Sequence, residues 1–560
     1  MRLRPVLLLL CLALGAAAPA QRHMIVAAEP LAAEAGLAVL RAGGSAVDAA
    51  IAAQAVLALV EPQASGVGGG AVMLLYDAAT RTVSAWDGRE TAPAAAAPDL
   101  FLDAQGRPLR FHQAAVGGRA VGAPGTFAML EAAHRAHGRL PWARLFDEAI
   151  RLAEDGFPVP PRMAAAIAEE APRLASRPAG RTLFLHADGT PLAAGERFAN
   201  PPLAATLRAL ASGGAAALSH GRLAAAIASA IASDPNPGLL SVADLAAYTP
   251  KRRAPLCAPY RAWTVCGMPP PSSGGATVLE TLGLLAHFPL PALPHDAGVP
   301  GVDAAQLLIE AERLAWADRA RDLADTDFVP VPLRGLLAPD YLAGRAALID
   351  PAHAATDVRA GNPGWPAEDL APAPPQPEHG TSQVSVVDDA GNAVSLTTTV
   401  EDDFGSRLVV DGFVLNNELT DFSFLPVRDG RPVANRVEPG KRPLSSMAPT
   451  LVFDRGGTLR FVLGSVGGTH IIPDVAQALV ELLDWGMSPA VAAAAPHVAA
   501  PGPAVELEEG TPAALILLLE ARGEQVRLTR SISGLAIIAL TPEGLTGAAD
   551  PRREGTALGD

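Results

Sequence analysis

The spacing of apolar positions changes several times along the chain and marks out its elements. Residues 23–30 (HMIVAAEP) read as a strand, and EAGLAVLRAGG that follows has a helical period ending at the helix stop Gly43-Gly44. Ser45 is a good N-cap for residues 46–60, which are apolar nearly all round and predict a buried helix. Gly66 to Gly70 come next, with AVMLLYD as the following strand. A dinucleotide loop needs a strand before its glycines and a helix after, so this reversed order predicts close backbone packing instead of cofactor binding. Residues 125–235 are Ala- and Leu-rich and predict helices with charged faces. The MPPPSSGG segment (Met268 to Gly275) predicts a rigid loop leading into a helix, and Asp303 to Asp325 predict a long amphipathic scaffold helix.

The pattern then breaks. Residues 351–380 hold seven prolines and read as an exposed, strandless linker. At Thr381 it gives way to a hairpin: Val384, Val386 and Val394 are β-branched, Asp389-Ala390-Gly391-Asn392 supplies the turn, and Thr397 to Val400 continue the second arm. Farther on, GFVLNNELTDFSF reads as a strand entering a polar loop. LSSMAPTLVFD and LRFVLGSVGG read as a strand pair ending at Gly467-Gly468, before two more helices and a strand-rich tail.

Composition narrows the choices. With 560 residues, 49% of them hydrophobic, and a mean hydropathy of +0.24, the chain can bury a large core, which aromatics at 4% leave mostly to Ala, Leu and Val. A net charge of −15 argues against nucleic acid. Residues 1–20 have the form of a secretory signal, with Arg2 and Arg4, an apolar stretch from Val6 to Leu14, and Ala18-Pro19-Ala20 as cleavage site. The expectation is an exported, periplasmic or secreted protein with no membrane anchor. Cys257 and Cys266 flank APYRAWTV, two short strands around a turn, so either a disulfide or two buried thiols fits, and no metal site is expected.

A linker that runs into a buried strand beginning Thr-Ser suits a chain cut before Thr381. A threonine hydroxyl needs a base, and a free α-amine, with a pKa of roughly 7.7–8, supplies one in the same residue. In order after Thr381 come TSQVSVVDDAGNAVSLTTTVEDDFGS, LNNELTDFSF, KRPLSSMAPT and GSVGGTHII, and upstream lie GGSAVDAAIAAQAVLALVEPQASGVGGG, DGRETAP and MPPPSSGG. As an ordered set over residues 25 to 550, these resemble the γ-glutamyltransferases (glutathione hydrolases), members of the N-terminal-nucleophile hydrolases. The resemblance implies an α/β (α+β) chain in a four-layer αββα sandwich. Its two subunits would be cut from one precursor, a large one (21–380) and a small one (381–560), with no cofactor. The substrates implied are a glutathione-like γ-glutamyl donor and water or an amino acid or peptide as acceptor.

By the same resemblance Thr381 is the nucleophile, Thr399 hydrogen-bonds it, and the Gly467 and Gly468 N–H groups form the oxyanion hole. Arg89, Ser445 and Ser446 would hold the substrate's α-carboxylate, while Glu418 and Asp421, with Glu401, would face its ammonium. Two departures stand out. Glu401 takes the place of an asparagine in well-studied members, and Phe424 to Gly440 contain no Tyr or Trp for an aromatic lid. Competing readings are a glutaryl or cephalosporin acylase of the same fold, a serine hydrolase, for which no complete G-x-S-x-G exists, and a non-catalytic periplasmic binding protein.

Overall fold

Strand-forming runs from both ends of the chain come together in two antiparallel sheets. The computed structural model describes residues 22–364, 369–373, 376–377 and 380–560, so the expected signal at 1–20 lies outside the described residues, as does part of the Pro-rich run. In chain order the strands are β1 (Met24–Ala27), β2 (Gly70–Asp77), β3 (Thr82–Gly88), β4 (Lys251–Arg253), β5 (Leu256–Tyr260) and β6 (Trp263–Gly267). They continue as β7 (Gly380–Val387), β8 (Ala393–Glu401), β9 (Thr450–Phe453), β10 (Leu459–Gly464), β11 (Ala536–Thr541), β12 (Gly544–Ala549) and β13 (Thr556–Gly559). The first sheet has the order β13-β1-β7-β8-β2-β3-β4, and the second β12-β11-β10-β9-β6-β5.

Alternation within the strands sends side chains to two different cores. Ile25, Ala71, Met73, Leu75, Val384, Val386, Val394 and Leu396 pack beneath helices α1 (Pro30–Arg41) and α2 (Ala46–Val60). Met24, Val26, Val72, Leu74 and Tyr76 face the second sheet, whose far side carries α3 (Gly274–Leu285), α4 (Val302–Asp322) and α5 (Ile471–Leu483). The result is the expected α-β-β-α layering. Every residue of α2 is buried, and Ser45 and Asp48 cap its start reciprocally; such a cap contributes about 1 kcal/mol.

The contact between the sheets is partly polar near the hairpin. Ser385 Oγ donates to Ala536 O (2.9 Å), Ser395 Oγ to Leu463 O (2.8 Å), and Thr397 Oγ1 to Gln383 Oε1 (2.6 Å). Each buried hydroxyl thus finds the partner that burial demands.

Four expectations are refined. Cys257 and Cys266 face each other across β5 and β6 and form a disulfide, with Cα atoms 4.1 Å apart. Helix α4 is buried on nearly all sides, charged Glu312, Asp318 and Arg319 included, so it is not amphipathic. In the Pro-rich run, Leu370 and Ala371 are buried, and Ala371 N donates to Pro432 O (2.9 Å), so this part is anchored instead of exposed. Apolar packing against Ala324, Val329 and Ala434 outweighs the local polarity of the segment. The hairpin also begins one residue early, at Gly380. No described helix is long and apolar enough to cross a membrane.

Candidate active site

Gly380 and Thr381 open strand β7, joined in one chain. Thr381 pairs with Thr399 and Gly380 with Glu401, and the register slips between them as a β-bulge. A bulge leaves its strand locally irregular and re-aims side chains. The Thr399 hydroxyl donates to the Gly380 carbonyl oxygen and accepts from Glu401 N (2.8 Å). The glycines at 66–70 make the close approach expected of them. An added Cβ at Gly69 would overlap the Thr399 carbonyl oxygen, and one at Gly70 would strike the Glu90 carboxyl.

Arg89 follows the end of β3, as the sequence suggested, and is fully buried. Its Nη1 donates to Glu418 Oε1 and its Nη2 to Asp421 Oδ2, while Nε reaches Pro443 O (3.1 Å) and Nη2 also reaches Leu444 O (2.8 Å). The groups expected to hold opposite ends of a zwitterion therefore pair with one another here. Glu418 and Asp421 come from a short 3-10 turn, Glu418–Asp421. Burial pushes the Glu418 carboxyl up to about 7, with Arg89 pulling it down and Asp421 pushing it up further. Burial also raises Asp421, against the pull of Arg89. For Arg89 burial works against the charge, but Glu418 and Asp421 outweigh it and hold the guanidinium above its ordinary value.

Arg89, Thr381, Thr399, Glu401, Glu418, Asp421 and Ser445 share one cavity with Met447 and Ile471. Its volume is about 10 Å³, room for no more than a water-sized guest. Larger cavities of about 360 and 380 Å³ lie elsewhere and contain none of these groups. Glu401 adopts φ +81°, in the left-handed region, and its Oε2 accepts from Asn417 Nδ2. Ser446 stands beside this cavity without lining it, its Oγ accepting from Arg319 Nη2 (3.0 Å).

Gly467 (φ +115°) and Gly468 (φ +59°) form the turn into α5, whose first residue, Ile471, lines the cavity. Among the described residues neither glycine's N–H donates to another group of the chain. Sequence reasoning missed Met447 and Ile471, whose only signal is adjacency to Ser446 and to the Gly pair. It also missed Glu90, which lies 3.9 Å from Arg89 and is raised far above the ordinary carboxyl range by burial and by Glu418.

A family model described as Gamma-glutamyltranspeptidase matches residues 32–560. The chain belongs to the γ-glutamyltranspeptidase family. It is 36% identical over 549 residues to the glutathione hydrolase proenzyme of Bacillus subtilis (strain 168), covering 96% of this chain and 91% of that one. It is 37% identical over 550 residues to the acylase ACY 1 proenzyme of Pseudomonas sp. (strain SE83), covering 97% and 94%. The crystal structure of cephalosporin acylase from Bacillus halodurans matches with a TM-score of 0.83 at 26% identity, over 96% of each chain. The resemblance noted from motifs, and the fold it implied, are thereby borne out. This γ-glutamyltranspeptidase-family chain is an enzyme of the N-terminal-nucleophile hydrolase fold, and the non-catalytic reading finds no support among its relatives.

Proposed function

We propose that the chain is a self-processing γ-glutamyl hydrolase and transferase that cleaves γ-glutamyl amides such as glutathione. The observation that carries this reading is the composition of one cavity, in which Thr381 shares space with a buried cation, Arg89, and a buried anionic pair, Glu418 and Asp421. A zwitterionic amino acid end needs both signs. On binding, its carboxylate replaces the acids on Arg89 as a bidentate partner, and its ammonium replaces Arg89 on the acids.

Processing comes first. Thr381 Oγ adds to the Gly380 carbonyl carbon, whose oxygen is polarised by the Thr399 hydroxyl. The peptide C–N bond breaks, an ester forms, and the hydroxyl proton ends on the released α-amine. Water then hydrolyses the ester and frees Thr381 as the first residue of a small subunit. In catalysis that amine takes the Thr381 proton while Oγ attacks the γ-carbonyl. Gly467 and Gly468 N–H groups stabilise the oxyanion, each donor contributing about 2.7–4 kcal/mol. The leaving amine departs with the proton, and water or an amino acid or peptide amine releases the γ-glutamyl group from its threonine ester.

The second reading is a glutaryl or cephalosporin acylase, favoured by the acylase relatives. Glutaryl groups lack the ammonium, so a glutaryl carboxylate that took Arg89 from Glu418 and Asp421 would leave two buried acids without a cation in exchange. Thr381→Ala is expected to give a single uncut, inactive chain. Purified wild type should then hydrolyse glutathione and a γ-glutamyl anilide far faster than a glutaryl amide. Preference for the glutaryl amide would establish the acylase reading, and activity from an uncut wild-type chain would rule out Thr381 as an N-terminal nucleophile.

A further inference from the structure

Ser445 and Ser446 lie on a loop, and useful hydroxyls must be held to within about half an ångström by their surroundings. The MPPPSSGG segment supplies part of that support. Ser273 donates to the Ser445 carbonyl oxygen through both N (2.7 Å) and Oγ (2.6 Å), and Ser272 Oγ donates to Met447 O (2.5 Å). Behind both segments stands Arg319, in the last turn of α4, which sequence reasoning took for scaffold. Arg319 Nε donates to Ser273 Oγ (2.8 Å) and Nη2 to Ser446 Oγ (3.0 Å). Its guanidinium lies 4.4 Å over the Trp316 ring and is 3% exposed.

We propose that Arg319 is a positioning residue of the donor site that sets Ser445 and Ser446 for the carboxylate of the substrate's acyl group. The inference rests on the functional reading above. A guanidinium only donates, so Ser446 Oγ accepts from it and the Ser446 proton points away from Arg319. Ser273 Oγ likewise accepts from Arg319 and donates its own hydrogen bond to the Ser445 carbonyl oxygen, so one side chain orders both serines. Stacking on Trp316 fixes the plane of the fork. Its charge also reaches Asp421, so a second cation joins Arg89 at this site.

This role concerns the carboxylate and not the amine, which separates it from a purely structural one. Three donor amides distinguish them: γ-glutamyl carries both groups, glutaryl only the carboxylate, and 4-aminobutyryl only the amine. In Arg319→Met, kcat/KM for γ-glutamyl and glutaryl amides should fall about tenfold or more, the scale of a lost charge-assisted hydrogen bond. The 4-aminobutyryl amide should change by less than about twofold, through KM and not kcat. Arg319→Lys, which keeps the charge but not the fork, and Ser273→Ala should show the same selectivity more weakly. They serve as the test should Arg319→Met fail to fold, as judged by self-cleavage and melting temperature.

A uniform fall for all three donors, or an unchanged ratio between them, overturns the role given to Arg319 while leaving the functional reading intact. A wild-type enzyme that processes itself but turns over none of the three overturns both.

Discussion

A carboxylate can hold an ammonium ion only while it is ionised, and Glu418 ionises at about pH 7 instead of the ordinary 4.5. Because the folded-state value is raised, the folded chain holds the Glu418 proton more tightly than the unfolded one, a contribution to stability fully present below about pH 4.5 and lost as pH rises through about 7. Substrate binding has the opposite sign, since an ammonium favours the ionised acid and expels its proton. KM for a γ-glutamyl donor should therefore fall as pH rises from about 6 to about 8, until the substrate amine itself deprotonates. Glu418→Gln should remove that slope, and a slope that survives in it would assign the titration elsewhere. Glu401 presents a different case, because a glutamate at φ +81° is held where asparagine and glycine are at ease. Glu401→Asn should raise stability by about 1 kcal/mol, read as a higher Tm with self-cleavage retained. The sequence showed Glu401 as a departure from the family pattern, but its backbone conformation was not legible, since nothing local in TTTVEDD forces a turn. The pairing of Arg89 with Glu418 and Asp421 was equally hidden, because it joins residues far apart in the chain whose individual patterns read as surface charge.

Among the elements, the loop between α2 and β2 does most to shape the site. Gly69 backs directly onto the Thr399 carbonyl, and its own carbonyl accepts from Gly125 N (3.0 Å) and Thr126 N (3.2 Å). Gly69→Ala would drive a methyl group into the backbone of β8 beside the Thr399 hydroxyl. It should slow or abolish cutting before Thr381, visible as accumulation of full-length chain on a denaturing gel. Normal processing in that variant would mean that β8 can yield without disturbing Thr399. The α2 helix, the hairpin after Thr381 and the strand pair before Gly467 were readable from period and caps, since each is decided by neighbours in sequence. The burial of α4 and the anchoring of Leu370 were not, because both depend on which distant surfaces arrive to cover them. Arg319 went unnoticed for that reason: a charged residue on a helix of mixed character reads as solvated until its partners Ser273 and Ser446 are in place.

At the scale of the whole molecule, a cut before Thr381 would leave two products that share both sheets. Strands from before the cut and after it share both sheets: β1 lies between β13 and β7, while β8 pairs with β2 and β9 with β6. The two products should elute as one particle on size exclusion while running as two bands on a denaturing gel. Separation under native conditions would contradict the interleaving. The same arrangement governs the order in which the protein can be built. Strand β1 is made first, yet Met24 is paired with Val387 on one side and Gly559 on the other. Its backbone groups cannot all be satisfied until residues 384–387 and 556–559 have both been made. Strand β1 must wait for both, a long-range closure of the kind that slows folding and exposes a chain to aggregation. The first sheet is thus closed along this edge only by residues 556–559, and a chain lacking them would leave the first strand paired on one side alone.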